Sequence, residues 1–435
     1  MSAPELVYDE GPVQLYRGDC REVMAQLPDA SVDAIVTDPP YELGFMGKGW
    51  DSSGIAYDAE VWVQAFRVLK PGGHALVFGG TRTWHRVAVA VEDAGFEIRD
   101  SFAWMYGSGF PKSMDIAKSI EKLERGELVR AKLMHFVAER KIDGRWLEEQ
   151  GVASAASFND WTVGGHVPSD RNWDVVKAAL NVTVEEEAVF EGEVVGRHKS
   201  GITRGVSGVG GGGEGRDRTR PTLELAKTWE GWGTALKPAF EPVVVARKPL
   251  TGTVAANVLT HGTGALNIDS CRIEAVDDQL AAKYASVQNA PPRANRVYGT
   301  DTRIRAGSAP RELGRFPTNV ILDEWQAGIL DGTAPGASRF FYCAKAGKDE
   351  RPIVDGEGHS TVKPLAVMRY LTRLVTPPGG TVLEPFAGSG TTLEACVIEG
   401  FNVIAAELDE DGTHIPLIRK RLGKPHQQTL FGEVA

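Results

Sequence analysis

Short β-rich runs alternate with helical runs at both ends of the sequence, and this alternation restricts the fold more than any other feature. Near the N-terminus the runs predict a strand at 32–37, a helix at 59–69, a strand at 74–78, a helix at 84–94 and a strand at 96–106. Near the C-terminus they predict a helix at 366–374, a strand at 381–384, a helix at 391–399 and a strand at 402–407. Strands that alternate with helices form parallel sheets with helices on both faces. The sequence therefore predicts an α/β fold.

The middle of the chain lacks this alternation. Residues from about 113 to 192 favour helices, and residues 200–221 are rich in glycine and arginine, a composition that cannot bury a core. One more strand is predicted at 240–248, whereas residues from about 250 to 358 look irregular. The simplest prediction is one α/β domain built from both ends of the chain, with the middle inserted into it.

Composition and length exclude several classes of protein. No apolar run reaches the roughly 18–20 residues that cross a bilayer, and the N-terminus has no signal-peptide pattern, so no membrane partner is expected. The 4 cysteines contain no CxxC pair, which excludes a cysteine zinc cluster and fits a reducing, cytoplasmic location. The net charge of -10 argues mildly against a protein coated in nucleic acid, unless basic residues are concentrated locally.

The strongest local motif is Asp38-Pro39-Pro40-Tyr41, at the carboxyl end of the first predicted strand. Ligands of open α/β sheets bind just beyond such strand ends. Two successive prolines fix the backbone and remove two N–H donors, so that the carbonyls of Asp38 and Pro39 can point outward as acceptors. Together with a carboxylate and the Tyr41 ring, they suit a planar ring that bears an exocyclic amino group. Asp-Pro and Pro-Pro also form ordinary turns, which is the alternative.

A second motif, Leu383–Thr392 (LEPFAGSGTT), predicts a strand, a glycine turn and a helix. Gly388 and Gly390 would let the backbone pass close to a ligand, and the helix N-terminus would offer free N–H groups. No Gly-Lys-Ser/Thr follows, so the turn is not a phosphate-binding P-loop. Glu407 ends the next strand, where an acidic side chain can accept hydrogen bonds from a ribose.

In this order, the two motifs resemble those of the amino-methylating DNA methyltransferases, and specifically the circularly permuted group in which DPPY precedes FxGxG. Leu15–Cys20 (LYRGDC) resembles the family's strand-end Gly-Asp, His359–Leu365 (HSTVKPL) its motif before the FxGxG strand, and Trp232–Ala239 a segment of phage and bacterial members. Two positions depart from the family pattern: Glu384 stands where Asp is usual, and Ser360 where Pro is common.

The resemblance implies a Rossmann-like S-adenosylmethionine-dependent methyltransferase fold, circularly permuted, with a mostly parallel seven-stranded sheet, helices on both faces and an inserted target-recognition region. The expected divisions are 1–112 for the DPPY half, 113–236 for an inserted region that recognises DNA, 237–250 for a strand returning to the sheet, 251–355 for a second insertion that contacts DNA, 356–425 for the cofactor-binding half and 426–435 for a tail.

The resemblance also implies roles for the motif residues. The cofactor, S-adenosyl-L-methionine, would lie across the glycine turn, with its ribose on Glu407, its adenine near Asp19 and its methionine end held by the segment around Lys363. Catalysis falls to Asp38, Pro39, Pro40 and Tyr41, because Asp38 and the Pro39 carbonyl would accept the two N–H bonds of the amine while Tyr41 stacks on the flipped base. The full set expected around the cofactor is Asp19, Cys20, Asp38, Thr361, Val362, Lys363, Pro364, Glu384, Pro385, Phe386, Ala387, Gly388, Ser389, Gly390, Thr391, Thr392, Glu407 and Leu408.

No metal and no cysteine nucleophile are expected, because the amine itself attacks. Cys20 is expected to pack in the core, as buried free cysteines do. An attached nuclease would need its own acidic metal site, for which the sequence offers no convincing cluster. The chain is therefore expected to modify DNA without cutting it, as a monomer or a homodimer.

Basic residues are concentrated in the inserted regions. The stretches 197–220 and 293–315 each carry 6 basic and 2 acidic residues, and phosphate neutralisation dominates DNA affinity. A glycine-spaced loop at 44–51 is expected to close over the base or the strand. Ordinary solvated loops are the alternative in each case. The expected DNA contacts are Lys48, Trp50, Arg204, Arg216, Arg293, Arg296, Arg303 and Arg305.

Several substrates fit the motif residues. An Asp before Pro-Pro-Tyr is commoner among adenine-N6 enzymes and Ser among cytosine-N4 enzymes, so adenine in double-stranded DNA is favoured and cytosine is the near alternative. RNA or protein-glutamine methyltransferases usually place the glycine turn before Pro-Pro-Tyr, which argues against them. An inactive DNA-binding homologue would carry a damaged motif, whereas Asp38, Tyr41 and Gly388 are all present.

We predict that charge reversal at Arg303 and Arg305 weakens DNA binding and flattens its dependence on salt, because fewer phosphates are neutralised. Titration of labelled DNA at several salt concentrations measures both quantities. An unchanged affinity with an unchanged salt slope would contradict the assignment.

Overall fold

The structure is a computed structural model that describes residues 3–43, 53–107, 109, 113–124, 148–149, 193–197, 217–221, 223–273, 315–334, 337–338, 341–344, 350–359 and 361–424. The chain divides into two units, Met1–Ser108 with Ala239–Ala435 and Gly109–Pro238. Within the described ranges, no helix has the length and apolar character that a membrane crossing requires.

The described residues form 14 strands and nine α-helices, numbered here in chain order. The strands are β1 (Glu5–Glu10), β2 (Val13–Arg17), β3 (Val32–Thr37), β4 (Leu69–Phe78), β5 (Glu97–Met105), β6 (Glu193–Arg197), β7 (Asp217–Arg220), β8 (Phe240–Arg247), β9 (Val320–Asp323), β10 (Tyr342–Ala344), β11 (Ile353–Val354), β12 (Glu357–Gly358), β13 (Thr381–Glu384) and β14 (Asn402–Glu407). The helices are α1 (Cys20–Gln26), α2 (Ala59–Val68), α3 (Trp84–Asp93), α4 (Glu224–Thr228), α5 (Val254–His261), α6 (Glu324–Thr333), α7 (Leu365–Val375), α8 (Thr391–Glu399) and α9 (His414–Leu422).

One large sheet organises the first unit. Its ten strands lie in the spatial order β1-β2-β14-β13-β3-β4-β8-β5-β9-β10. The pairing is antiparallel between β1 and β2 and on both sides of β8, and parallel everywhere else. The prediction of a mostly parallel α/β sheet is therefore confirmed. The seven strands from β2 to β5 in this spatial order make up the expected sheet, which β1, β9 and β10 extend at its edges.

Each face of the sheet packs against its own helices. Successive side chains of a strand point to opposite faces, so Ala34 and Val36 of β3 join one core while Ile35 joins the other. The first core also contains buried residues of α7, α8 and α9, and the second contains those of α1, α2 and α3. All six residues of β3 are buried, and four of them, Val32, Ala34, Ile35 and Val36, are apolar, as expected for a strand that is covered on both faces.

Most predicted elements of the two ends of the chain are found within two residues of their expected bounds, but two expectations were wrong. β4 begins at Leu69 and not at the expected residue 74, because the Gly72 N–H donates to the Lys248 carbonyl and the Gly73 carbonyl accepts from the Lys248 N–H. Residues 250–358 are not irregular throughout, since they contain α5, α6 and short strands. The N-cap Thr253 and the left-handed Gly262 bound α5, and such capping residues are a sequence signal for a helix.

A buried amide ties α5 to the start of β4. The Asn257 side chain is fully buried, and its amide nitrogen donates to the carbonyls of Pro71 and Thr263 at 2.8 Å each. Its oxygen accepts from the backbone N–H of Thr251 at 2.9 Å. Every polar atom of this buried side chain is thus satisfied, which is what its burial requires.

We predict that Asn257→Asp lowers the free energy of unfolding by about 2–4 kcal/mol, because an acceptor would then face two carbonyls without a donor. Urea unfolding at neutral pH measures the change. Asn402→Asp is the matched control, since Asn402 is exposed and donates a single bond to the Gly379 carbonyl at 3.0 Å. Equal losses in the two variants would contradict this account of Asn257.

Candidate active site

The two motif-bearing strands lie side by side in the sheet. β3 and β13 pair in parallel, with Ala34 opposite Val382 and Ile35 opposite Leu383. The carboxyl ends of parallel neighbours open at the same edge, so the DPPY segment and the glycine turn meet there. A cavity of about 360 Å³ lies at this edge.

The carboxylate of Glu384 joins the two motifs. Its oxygens accept from the Thr37 hydroxyl at 2.5 Å, from the Thr392 hydroxyl at 2.6 Å and from the Phe386 N–H at 3.0 Å. Thr37 lies 347 positions earlier in the chain and immediately precedes Asp38. Burial raises the pKa of Glu384 to about 8, although the three donors oppose this rise. Glu384 therefore fixes the relative position of the motifs at the same time as it lines the cavity.

The glycine turn has the backbone geometry that only glycine adopts easily. Gly388 has a φ of 52° and Gly390 a φ of 78°. A Cβ on Gly390 would lie 3.0 Å from the Ile418 side chain, so a larger residue there would have a strained backbone and would require Ile418 to move. Gly390 is also the N-cap of α8 and makes no side-chain cap, which leaves the first N–H groups of the helix to other partners.

An acid and two histidines surround the turn. The Glu407 carboxylate accepts from the Gly388 N–H and pairs with Nδ1 of His414, each at 2.6 Å. The His414 ring lies 4.8 Å from that of His359. Burial and the neighbouring His414 lower the pKa of His359 to about 4. Burial favours a lower pKa for His414 as well, but the bond to Glu407 together with the charges of Glu407, Asp409 and Asp411 outweighs burial and raises the pKa.

Asp19 and Cys20 begin α1 beside the cavity. The Asp19 carboxylate caps the helix by accepting from the Arg21 N–H at 2.8 Å and also pairs with the Arg21 guanidinium at 2.5 Å. These bonds hold the pKa of Asp19 below its ordinary value. Burial raises the pKa of the Cys20 thiol to about 12, so this cysteine stays protonated at neutral pH. A buried thiol of this kind is a packing residue and a poor nucleophile.

A buried cation stands between two carboxylates on the other side of the cavity. Nζ of Lys363 lies 2.5 Å from Oδ2 of Asp38 and 3.4 Å from Oε2 of Glu241. The Tyr41 hydroxyl donates to the same Glu241 oxygen at 2.6 Å. Oδ1 of Asp38 is buried and has no hydrogen-bond partner among the described residues. The cluster therefore presents one strong acceptor that is not used within the part of the chain described.

The protonation of this cluster follows from burial and mutual charge. Burial raises the pKa of Asp38, and Glu241 adds to the rise, whereas the Lys363 ammonium opposes it. Burial by itself would lower the pKa of Lys363, but the two carboxylates outweigh burial and raise it. Burial together with Asp38 and Glu241 keeps the pKa of Tyr41 well above its ordinary value. Lys363 is thus a cation and Tyr41 a neutral hydrogen-bond donor at neutral pH.

Most predicted site residues that the structure describes line this one cavity. Those that line it are Asp19, Cys20, Asp38, Pro39, Pro40, Tyr41, Thr361, Lys363, Glu384, Pro385, Phe386, Ala387, Gly388, Ser389, Thr391, Thr392, Glu407 and Leu408. Val362, Pro364 and Gly390 are described but do not line it. The predicted DNA contacts, Lys48, Trp50, Arg204, Arg216, Arg293, Arg296, Arg303 and Arg305, lie outside the described residues.

Sequence reasoning missed four ionisable residues of the cavity: Glu241, His359, Glu410 and His414. An acid in the apolar run FEPVVVARK was the available signal for Glu241, because a charge inside a strand needs a partner. His359 opens the HSTVKPL segment but was given no role. Nothing in the sequence near Glu410 or His414 distinguishes them from ordinary surface residues.

Comparison with known proteins places the chain in a family. A sequence profile for a DNA methylase family, that of the N6- and N4-modifying enzymes, matches residues 32–126 and 234–415, which is more than half of the chain. The chain belongs to this family. S-adenosylmethionine is the methyl donor of its members. The matched ranges contain the DPPY segment, Glu241, Lys363 and the glycine turn.

Individual relatives are more distant. The Escherichia coli (strain K12) protein YubD is 38% identical over 88 residues, which are 19% of this chain and 38% of that protein. The PvuII DNA methyltransferase, a cytosine-N4-specific enzyme, has a TM-score of 0.42 at 12% identity over 99% of this chain and 91% of its own. TTHA0409 from Thermus thermophilus, in complex with S-adenosyl-L-methionine, has a TM-score of 0.35 at 15% identity over 94% of this chain and 91% of its own. At these scores the assignment rests on the family profile alone.

We predict that Glu384→Gln gains stability relative to the unmodified protein as the pH rises from 5 to 9. The carboxyl has a higher pKa when folded, about 8, than the ordinary value of 4.5, so the folded state holds the extra proton between these values and loses stability as the pH rises. Glutamine has no proton to lose and can still bond to both threonines.

Urea unfolding at pH 5, 7 and 9 measures the effect. Glu399→Gln is the control, because Arg373 and Arg369 outweigh burial and lower the pKa of Glu399, so that its contribution is constant over this range. Parallel pH profiles for Glu384→Gln and the unmodified protein would show that the carboxyl is ionised throughout and refute the prediction.

Proposed function

We propose that the protein transfers a methyl group from S-adenosylmethionine to the exocyclic N6 amine of an adenine flipped out of double-stranded DNA. One observation carries this proposal. Asp38 lines the same cavity as the glycine turn, and its buried oxygen Oδ1 has no hydrogen-bond partner among the described residues. Membership of the DNA methylase family supports the reaction class, and the DPPY segment supports an amine as the acceptor.

The residues of the cavity fit the cofactor. Gly388 lines the cavity and has no side chain, so a ligand can approach the backbone there, and the Glu407 carboxylate retains capacity to accept hydrogen bonds from a ribose. Asp19 and Cys20 stand at the neighbouring strand end, where we place the adenine of the cofactor. When bound, S-adenosylmethionine supplies a methyl group on a positively charged sulfur. An acidic lining suits that charge.

The DPPY side of the cavity would hold the base. Asp38 accepts one N–H of the amine through Oδ1, and the Pro39 carbonyl accepts the other, which directs the lone pair of the nitrogen toward the methyl group. Tyr41 offers its ring for stacking while its hydroxyl is held by Glu241 at 2.6 Å. Extraction of the base from the duplex costs a few kcal/mol, which stacking and the two acceptors offset. Fixed positions of both reactants then supply much of the acceleration.

Lys363 acts on Asp38 in this proposal. The family resemblance implies that this lysine holds the methionine end of the cofactor, but its ammonium lies 2.5 Å from Oδ2 of Asp38. The ion pair occupies one carboxylate oxygen and leaves the other for the substrate. Lys363 thus orients the acceptor and does not need to touch the cofactor.

The N4 amine of cytosine is the alternative target. It is also an exocyclic amine on a planar ring, so the same acceptors can hold it, and the preference for adenine rests on Asp38 standing before Pro-Pro-Tyr. We assign the inserted region 113–236 and the arginine-rich second insertion to DNA contact and target choice, as the sequence suggests. DNA as the substrate also agrees with the cytoplasmic location expected from the cysteine pattern.

We predict that incubation with labelled cofactor and mixed-sequence DNA yields N6-methyladenine after digestion to nucleosides. Asp38→Ala should reduce transfer by about 100-fold or more, because an amine acceptor is lost, while the Kd of the cofactor stays within about threefold. Asp29→Ala is the control, since the Asp29 side chain is 80% exposed and forms a salt bridge with Arg67.

The products decide between the alternatives. Detection of N4-methylcytosine would show that cytosine, and not adenine, is the target. Full activity of Asp38→Ala would contradict the assigned site. Absence of any methylated nucleoside with the unmodified protein would refute the proposed function. Sequencing of the modified DNA would identify the recognition site.

A further inference from the structure

The Lys363 ammonium has one more carboxylate than charge balance requires. Asp38 and Glu241 together with Lys363 carry a net charge of −1 when all three are ionised. Lys363 is 8% exposed, and a single carboxylate would neutralise it. A second carboxylate in the same partly buried cluster costs desolvation, so its presence calls for a function.

Three separate elements bring the cluster together. Asp38 follows β3, Glu241 lies near the start of β8, and Lys363 lies just before α7. The Tyr41 hydroxyl fixes Glu241 at 2.6 Å, whereas Lys363 is closer to Asp38 than to Glu241, at 2.5 Å against 3.4 Å. In this arrangement Asp38 is the primary partner of the ammonium, and Glu241 is a second, more distant carboxylate beside it.

Methylation of an amine creates a need for a second counterion to Lys363. As the nitrogen lone pair forms the new N–C bond, the C–S bond breaks and its electron pair stays on sulfur, so the nitrogen becomes positively charged. A proton must then leave the nitrogen. Oδ1 of Asp38 is the best-placed acceptor for this proton, because in the proposed reaction it already accepts a hydrogen bond from an N–H of the amine. Once Asp38 holds the proton it is neutral, and Lys363 would be left as a buried cation without a counterion.

We propose that Glu241 is a positioning residue that becomes the counterion of Lys363 when Asp38 takes the proton released by the methylated amine. This inference rests on the proposed amine methylation. Before transfer the cluster carries one net negative charge, which suits the cationic donor. After proton uptake the Glu241–Lys363 pair and the protonated Asp38 are each neutral. No further acid or base is required, and the proton can leave to solvent when the product does.

The directions of the pKa shifts agree with this sequence. Burial and Glu241 raise the pKa of Asp38, which makes it a better base than an ordinary aspartate, although Lys363 opposes the rise. Asp38 and Glu241 raise the pKa of Lys363 against the effect of burial, so the proton does not go to the lysine, which is already charged. Among the described residues, the charged and titratable groups around Asp38 are Lys363, Glu241, Tyr41 and Glu384. Tyr41 and Tyr106 interact with Glu241, and His359 lies near Lys363.

The test is Glu241→Gln in the full-length protein, assayed by single-turnover methylation of DNA across a pH series. We expect the plateau rate to fall roughly tenfold, because Asp38 becomes a weaker base and Lys363 loses its second counterion. The acidic limb of the pH–rate profile should move to lower pH, since removal of the Glu241 charge lowers the pKa of Asp38. The Kd of the cofactor should stay within about threefold.

A purely structural role for Glu241 predicts a different result. If the glutamine variant loses rate while its acidic limb stays in place, or if rate and limb are both unchanged, the proposal is overturned. Thermal unfolding checks that the variant folds. Should it not fold, Glu241→Asp carries the test: the shorter side chain withdraws the charge from Lys363, so a smaller displacement of the limb in the same direction is expected, and an unmoved limb overturns the proposal.

A double-mutant cycle tests whether Glu241 acts through Lys363. In a Lys363→Met background the cation is gone and only the direct effect of the Glu241 charge on Asp38 remains, so Glu241→Gln should cost about threefold or less in rate, against roughly tenfold in the unmodified background. Equal losses in the two backgrounds would overturn the proposal. If the unmodified protein does not methylate DNA, the proposed function fails first; if it does and the cycle is additive, only the role of Glu241 fails.

Discussion

The bonds of the Glu384 carboxylate are the constraint on which the active site depends. They connect the end of the DPPY strand to the glycine turn and to the first turn of α8, so the acceptor and donor sides of the cavity share one buried group. The parallel pairing of β3 with β13 fixes the two strands, and Glu384 connects the segments that follow them. The sequence departs here from the aspartate that the family resemblance leads one to expect, and the Glu384 side chain reaches all three donors.

The cavity combines many acids with few free acceptors. Asp19 is bonded to Arg21, and Glu384 accepts from two hydroxyls and an amide N–H. Glu407 is bonded to the Gly388 N–H and to His414. Among the described residues, the buried carboxylate oxygen that stays without a partner belongs to Asp38. The acidic residues of the lining therefore divide into two groups: most hold the segments of the site in place, and Asp38 keeps one oxygen for the proposed contact with a substrate amine. A cationic methyl donor is compatible with both.

Local sequence signals predicted most of the two ends of the fold. Apolar runs bounded by glycine and proline predicted β3, β13 and β14, and helical spacing predicted α2, α3 and α7, because these patterns reflect burial on a strand or on one helix face. The same reasoning failed at the start of β4, where the strand includes a proline and two glycines that are usual in turns, and at residues 250–358, where short apolar runs are separated by polar ones. For the candidate site, four motif segments and the family resemblance predicted residues around one cofactor and one base, but they did not predict the contacts between those side chains.

By itself, the sequence determined the class of fold and the two segments that would form a ligand site, since strand-end prolines and glycines act through their own backbone geometry. The tertiary structure alone decided which side chains meet there. Glu241 comes from an antiparallel strand about 200 positions from Tyr41, and Lys363 reaches Asp38 across 325 positions. Such pairings depend on sheet order and on the charge each buried group meets, and no local pattern of residues encodes either.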